Sequence, residues 1–270
     1  MPFPRIIALQ PSISVTLAAL GKLDHVVACT RWCIDQVPEL SGRNLPILPD
    51  SWSATKEELA ELKPLHPDLI LASVPYRLES ITAILQQGTP VLALSPKNLA
   101  DIYADTRLLA SLVNATENAE ALVAEMEAAL SNVRKLCRDG QSQKVYAEEW
   151  GKPLIHSQPW VNELAAAACG APVGHPGKHS TPEEIAAADP DVLLLAWCGA
   201  GDRVPLQRVV EQRSWQQLRA VREKRMFCVP DEFLNTPAIP SLLDGLACIA
   251  AALQPEIFPV PPRLVQLRSG

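Results

Sequence analysis

The side chains able to do chemistry in this 270-residue chain are seven cysteines, five histidines, six tryptophans and a few acids. Cys29 and Cys33 are spaced C-x-x-x-C, and Cys198 follows a later apolar run. Facing one another, Cys33 and Cys198 would be soft metal ligands. There is no C-x-x-C pair of the structural zinc kind, and the competing reading is buried thiols that fill space as small apolar groups. Cys137, Cys169, Cys228 and Cys248 read as packing. His175 and His179 form H-x-x-x-H, which on a helix would place two imidazoles on one face. Pro176 and Gly177 lie between them and disfavour a helix, so the pair is either a loop donor to a metal or ligand, or a solvated turn. His25, His66 and His156 are isolated and read as structural. Glu148 and Glu149 are adjacent, and neighbours on a strand point to opposite faces, so they do not form an acid/base couple. The nucleophile elbow, the zinc-protease helix and the phosphate-loop lysine motif are all missing from the sequence.

The elements that must position these groups are short apolar runs alternating with helical stretches. Strands are expected at Arg5–Leu9, Val26–Thr30, Leu69–Ser73, Val91–Leu94, Lys144–Glu148, Val192–Trp197 and Met226–Val229. These runs are apolar on both faces, as in strands buried within parallel sheets. Thr55 before Glu57 and Glu58, and Thr181 before Pro182, Glu183 and Glu184, mark helix starts with acids near the positive end. Alternation of this kind gives an α/β fold with mainly parallel sheets.

Ligands of such sheets lie beyond the carboxyl ends of the strands. Trp32, Tyr76, Trp150, Trp197 and Phe233 fall at those ends, with Trp52 and Trp160 in nearby loops. A single tryptophan there could simply fill the core. A cluster offers large contact area at low entropic cost and suits a broad, flat ligand. Trp32, Cys33, Trp52, Tyr76, Glu148, Trp150, Trp160, Trp197, Cys198 and Phe233 are therefore the candidate ligand-binding residues, with His175 and His179 as candidate metal ligands.

From about Leu99 to Arg138 the chain has no Pro or Gly, and its apolar residues recur at helical spacing. One continuous helix here would be about 54 Å long for roughly 36 residues, a rigid bridge between two lobes. The lobes echo one another. Ser53 through Leu62 and then Pro67-Asp68 match Ser180 through Ala188 and then Pro190-Asp191, each time a capped acidic helix, a turn and a buried strand. The expected organisation is a lobe over 1–98, a connecting helix over 99–139 and a second lobe over 140–270.

Composition excludes several classes. Hydrophobic residues make up 48% and charged residues 20%, which is incompatible with disorder or a coiled coil. The net charge of −6 and the lack of a basic block argue against nucleic acid as the partner. No apolar run reaches the length of a membrane span. Met1-Pro2-Phe3-Pro4-Arg5 leads straight into a strand with no leader pattern, so a cytoplasmic location is expected, or a periplasmic or cell-surface one if a leader has been trimmed.

Several segments in order resemble one family. They are Pro11-Ser12 and a helix ending at Gly21, Thr30-Arg31-Trp32-Cys33, Lys63-Pro64 through Pro67-Asp68, Gly88-Thr89-Pro90-Val91, and the long helix. Glu148-Glu149-Trp150, Asp189-Pro190-Asp191, Trp215 through Val221 and Asp244-Gly245-Leu246 follow. The chain is similar to the helical-backbone, metal-receptor class of substrate-binding proteins of ABC importers, and most to its cobalamin-binding members. The resemblance implies two Rossmann-like lobes joined by one long helix, with a ligand in the cleft between them. It implies a non-catalytic monomer holding a large metal chelate, cobalamin or another corrinoid, with no further cofactor. Haem, a ferric siderophore or a metal is the alternative cargo. A cytosolic corrinoid-handling factor or enzyme, with Cys33 as nucleophile or ligand, is the alternative from another class. If the protein is exported, Glu57 or Glu58 and Glu183 or Glu184 would dock an ABC permease. The competing reading is that these acids only complement helix dipoles.

Overall fold

A computed structural model describes residues 3–48, 55–73, 78–86, 88–137 and 142–268. The chain divides into two compact units. The first comprises Met1–Pro96, Ala100–Ala124 and Pro237–Pro240, and the second Lys97–Leu99, Glu125–Thr236 and Ser241–Gly270.

The first unit is built on five parallel strands: β1 (Ile6–Ala8), β2 (Val26–Thr30), β3 (Ile47–Leu48), β4 (Leu69–Ser73) and β5 (Val91–Leu94). Their order is β3-β2-β1-β4-β5. Strand alternation divides the apolar residues between two faces. Ile6, Ala8, Leu69 and Leu71 join one cluster with Ile13, Leu17, Leu109 and Val113. Ile7, Leu9, Ile70 and Ala72 join another with Ala28, Leu48, Leu62 and Ile84. Both faces must therefore be covered, and helices cover them.

The second unit carries β6 (Gln143–Gly151), β7 (Leu154–His156), β8 (Gly170–Pro172), β9 (Val192–Leu195), β10 (Met226–Cys228) and β11 (Val265–Gln266). The path is β11-β10-β9-β6-β7, with β8 also on β6. β6, β8, β9 and β10 run parallel, while β7 and β11 are antiparallel additions. Tyr146, Leu193, Leu195, Met226 and Cys228 face a core completed by Ile185, Val209, Val210 and Trp215.

The internal echo is physical. Asp68 and Asp191 each return a carboxylate oxygen to the backbone N–H of the neighbouring strand, Arg5 at 3.1 Å and Lys144 at 2.7 Å. The N–H groups of Asp68 and Asp191 bond back to the carbonyls of the same two residues, each at 2.8 Å. Ahead of each Pro-Asp pair a residue takes the left-handed conformation, His66 at φ 47° and Asp189 at φ 42°. The acidic helices also start alike. Thr55 and Glu58, and Thr181 and Glu184, form reciprocal capping boxes, each worth about 1 kcal/mol.

The expected single helix over 99–138 is two. Helix Leu99–Leu112 stops, and helix Thr116–Cys137 begins after a turn. Asn114 sits at φ 54°, and the Ala115 N–H reaches back to the Ala110 carbonyl at 2.9 Å. This is a helix C-cap in which Asn takes the place usually given to Gly. The apolar period continued through the break and concealed it. The Asn118 amide donates to the Leu20 carbonyl at 3.1 Å, which ties the second helix to the end of helix Pro11–Ala19. The division between units falls inside this second helix, after Ala124.

Candidate ligand-binding site

In the second unit, β6 has β7 and β8 on one side and β9 on the other, which makes the β6–β9 pair the point where strand order reverses. Crevices beyond strand carboxyl ends at such a point receive ligands. Glu148 and Leu195 are partners across this pair. Beyond them the backbone stays joined, Ala196 N–H to the Glu148 carbonyl at 2.8 Å and Cys198 N–H to the Glu149 carbonyl at 3.1 Å.

The Glu148 side chain turns inward and is fully buried. Arg213 holds both of its oxygens at 2.8 Å, the Tyr146 hydroxyl donates to Oε2 at 2.8 Å, and the Trp197 indole N–H donates to Oε1 at 2.7 Å. A third guanidinium bond goes to the Gly151 carbonyl at 3.1 Å. The guanidinium carbon also lies 4.8 Å from the Trp215 ring centroid and 5.7 Å from that of Trp197. A buried carboxylate is tolerated only with this degree of pairing. Gly151 completes the seat of Trp197, because a Cβ there would come within 2.3 Å of the indole. Trp197 is thus fixed on three sides while remaining half-exposed.

Around it, Glu149 leaves the strand the other way and accepts from Gln158 at 2.7 Å. Burial raises the Glu149 carboxyl above its usual range, opposed by that bond. Trp150 is 42% exposed, and its indole N–H closes onto the Lys152 carbonyl at 2.9 Å. The loop after β9 is pinned by Asp231, which accepts from the Gly199 N–H at 2.8 Å and the Gly201 N–H at 2.7 Å. Asn235 donates to the Ala196 carbonyl at 2.6 Å and to the exposed Cys198 at 3.3 Å. Phe233, half-exposed in helix Asp231–Asn235, lies under the Arg263 guanidinium at 5.2 Å.

In the first unit, Trp32 stands in the first turn of helix Arg31–Gln36, directly after β2. It is half-buried, with the Arg31 guanidinium 4.2 Å above its ring. Trp52 and Tyr76 lie outside the described residues.

Three residues expected at the ligand belong instead to the interior. Cys33 has no exposed surface, and its thiol meets Thr30 Oγ1 at 3.2 Å and the Ala8 carbonyl at 3.6 Å. It cannot act as a nucleophile or metal ligand without opening the core. Its neighbour Cys29 is hydrogen-bonded to it and buried, which pushes the Cys29 thiol far above its usual range. Glu148 is used up by its four donors. Trp160 is buried and gives its indole N–H to the Leu234 carbonyl at 2.8 Å. Trp32, Trp150, Trp197, Cys198 and Phe233 keep accessible surface.

His175 and His179 are exposed in a turn, and His179 forms an isolated bridge with Ile155. Among the described residues no group of three or more His, Cys, Asp or Glu is placed to hold a metal, so the histidine pair gains no further ligand. Glu58 and Glu184 are engaged in their capping boxes, whereas Glu57 and Glu183, one residue earlier in each helix, are exposed. Arg213 and Gly151 escaped the sequence reading. Arg213 comes from 65 residues away, and nothing local marks it as the partner of Glu148.

A family model described as periplasmic binding protein matches residues 6–233. The chain is 26% identical over 231 residues to the vitamin B12-binding protein of Pectobacterium carotovorum subsp. carotovorum (strain PC1), covering 80% of this chain and 78% of that one. A periplasmic heme binding protein from Pseudomonas aeruginosa has the same fold, with TM-score 0.83 and 21% identity over 99% of this chain and 100% of the other. So does the periplasmic vitamin B12 binding protein of Vibrio cholerae, with TM-score 0.74 and 20% identity over 94% and 97%. These matches bear out the resemblance and the two-lobed α/β class. They do not support the cytoplasmic location expected from the first residues. Among the described residues no helix is long and apolar enough to cross a membrane.

Proposed function

The chain belongs to the periplasmic binding protein family, and from that premise we propose that it is a non-catalytic receptor for cobalamin or another corrinoid, which it delivers to an ABC permease. The observation that carries this reading is the fixed, half-exposed Trp197 at the point where β6 and β9 end, with exposed Trp150 on the same strand end. In the first unit, taken by itself, Trp32 is a half-exposed indole at the carboxyl end of a strand. A corrin is a broad, partly apolar disc, and rigid aromatic side chains bind such a surface at little entropic cost. The likeness to a vitamin B12-binding relative supports the choice of ligand.

Delivery requires a contact outside the ligand site. Glu57 and Glu183 occupy equivalent places in the two acidic helices and would meet basic sockets on the permease. Reversing both charges should weaken permease stimulation and leave ligand affinity unchanged. A fall in ligand affinity would contradict that role.

Calorimetric titration with cyanocobalamin, beside haemin and a ferric siderophore, tests the ligand. Saturable corrinoid binding near 1:1 is expected. No heat with the corrinoid together with saturable binding of haemin or the siderophore would overturn the choice of ligand and leave the family assignment standing.

A further inference from the structure

Cys169 occupies a backbone position that suits glycine. It follows the C-cap of helix Pro159–Ala167 with φ 62°, and its N–H bonds to the Ala166 carbonyl at 3.1 Å. A left-handed residue here is usually Gly, because a Cβ in this conformation costs on the order of 1 kcal/mol. The chain has a glycine next door and does not use it for the bend. Gly170 is required where it stands, since a Cβ there would come within 2.8 Å of Val145 and 2.9 Å of the Ala165 carbonyl. The strained position is spent on a thiol.

That thiol lies against the end of helix Thr116–Cys137. Cys169 Sγ donates to the Cys137 carbonyl oxygen at 3.1 Å. The contact sets the sulfur within about 5.5 Å of the Cys137 Cα, given standard carbonyl dimensions, and the two thiols are close enough to act on one another directly. Cys137 is itself buried at the end of helix Thr116–Cys137. Burial pushes its thiol up to about 11, and the adjacent Cys169 adds to the rise. Cys169 is part-exposed and open to an oxidant, unlike Cys29 and Cys33, which are both buried.

We propose that Cys137 and Cys169 form a disulfide, which ties the end of the long helix to the bend before β8. Periplasmic binding proteins work in an oxidising compartment, where such bonds form and persist. The oxidant is a disulfide-bearing molecule, either a thiol–disulfide oxidoreductase or oxidised glutathione. The Cys169 thiolate attacks one sulfur of that disulfide, forming a mixed disulfide and releasing one thiolate, which takes up a proton. Cys137 then gives its proton to water and displaces the second thiolate. Two protein thiols are oxidised, and the oxidant's disulfide is reduced to two thiols.

The full chain is incubated with oxidised glutathione, quenched with an alkylating agent and digested for mass spectrometry. A Cys137–Cys169 cross-linked peptide is expected, two hydrogens lighter than its parts and lost on reduction. Cys169→Gly keeps the bend and removes the bridge. In reducing buffer it should match or exceed the parent in Tm, and in oxidising buffer it should fall below the parent by about 5–10 °C. Alkylation of both cysteines after oxidation would overturn the proposal, as would a link from Cys169 to another cysteine such as Cys248. The test uses no ligand, so its outcome is independent of the corrinoid reading.

Discussion

Arg213 meets Glu148 as a two-pronged pair, Nη1 to Oε2 and Nη2 to Oε1, each at 2.8 Å, with the carboxylate shut off from solvent. The pair links helix Leu206–Gln212, which Arg213 caps, to the end of the central strand β6. Through Oε1 it also holds the Trp197 indole. Stability of the second unit and the orientation of a candidate binding residue therefore depend on one buried ion pair.

Removing one partner of a buried pair strands the other charge. Arg213→Ala should destabilise the protein by about 3–5 kcal/mol, read from urea unfolding of the second unit. Replacing both residues together with apolar ones of similar volume should cost less than Arg213→Ala alone. A single-variant loss below about 1 kcal/mol would show that the carboxylate is not dependent on its guanidinium.

Gly151→Ala tests the seat of Trp197. The added methyl would lie 2.3 Å from the indole, so the ring must move. Overpacking of this kind costs about 1–3 kcal/mol. Tryptophan fluorescence should shift, and corrinoid affinity should fall if Trp197 contacts the ligand. An unchanged spectrum would mean that the ring is not held by this contact.

Asp105 gives stability a pH dependence. It is half-buried in helix Leu99–Leu112, and burial, then the charge of Asp101 one turn earlier, raise its carboxyl from 3.8 to about 6. The folded state therefore prefers the protonated acid. Its contribution is complete below the unfolded value of 3.8 and is lost as pH rises through about 6. Asp105→Asn should be more stable than the parent at pH 7.5, by on the order of 1 kcal/mol after allowance for solvent screening. At pH 3.5 the difference should vanish. Equal unfolding free energies at pH 7.5 would contradict this.

Cutting Trp150 or Trp197 back to Ala should each weaken corrinoid binding. Losing roughly 60–80 Å² of buried apolar surface at about 25 cal/mol per Å² costs about 1.5–2 kcal/mol, tenfold or more in affinity. Titration of the two variants beside the parent decides it, and unchanged affinity in both would remove these indoles from the site.

Much of the fold was written in short stretches of sequence. The seven apolar runs are strands, and the two Pro-Asp turns and the two acidic helix starts recur as expected, because each depends on contacts within a few residues or on which faces are apolar. The break at Asn114 is also local, but one Asn is a weak signal beside apolar residues that keep helical spacing on either side of it. The site divided differently. Sequence placed Trp32, Cys33, Glu148, Trp150 and Trp197 at strand ends, and they stand near or just past the carboxyl ends of β2, β6 and β9. It could not say which of them turn inward. Cys33 follows β2 in the same short helix as Trp32 and is buried, while Trp32 is not. Glu148 faces the core because a guanidinium from 65 residues away neutralises it there. Local hydrogen bonding and hydrophobic period act over a turn or a strand. The direction of a charged or polarisable side chain at a strand end is set by the groups that tertiary packing brings to meet it.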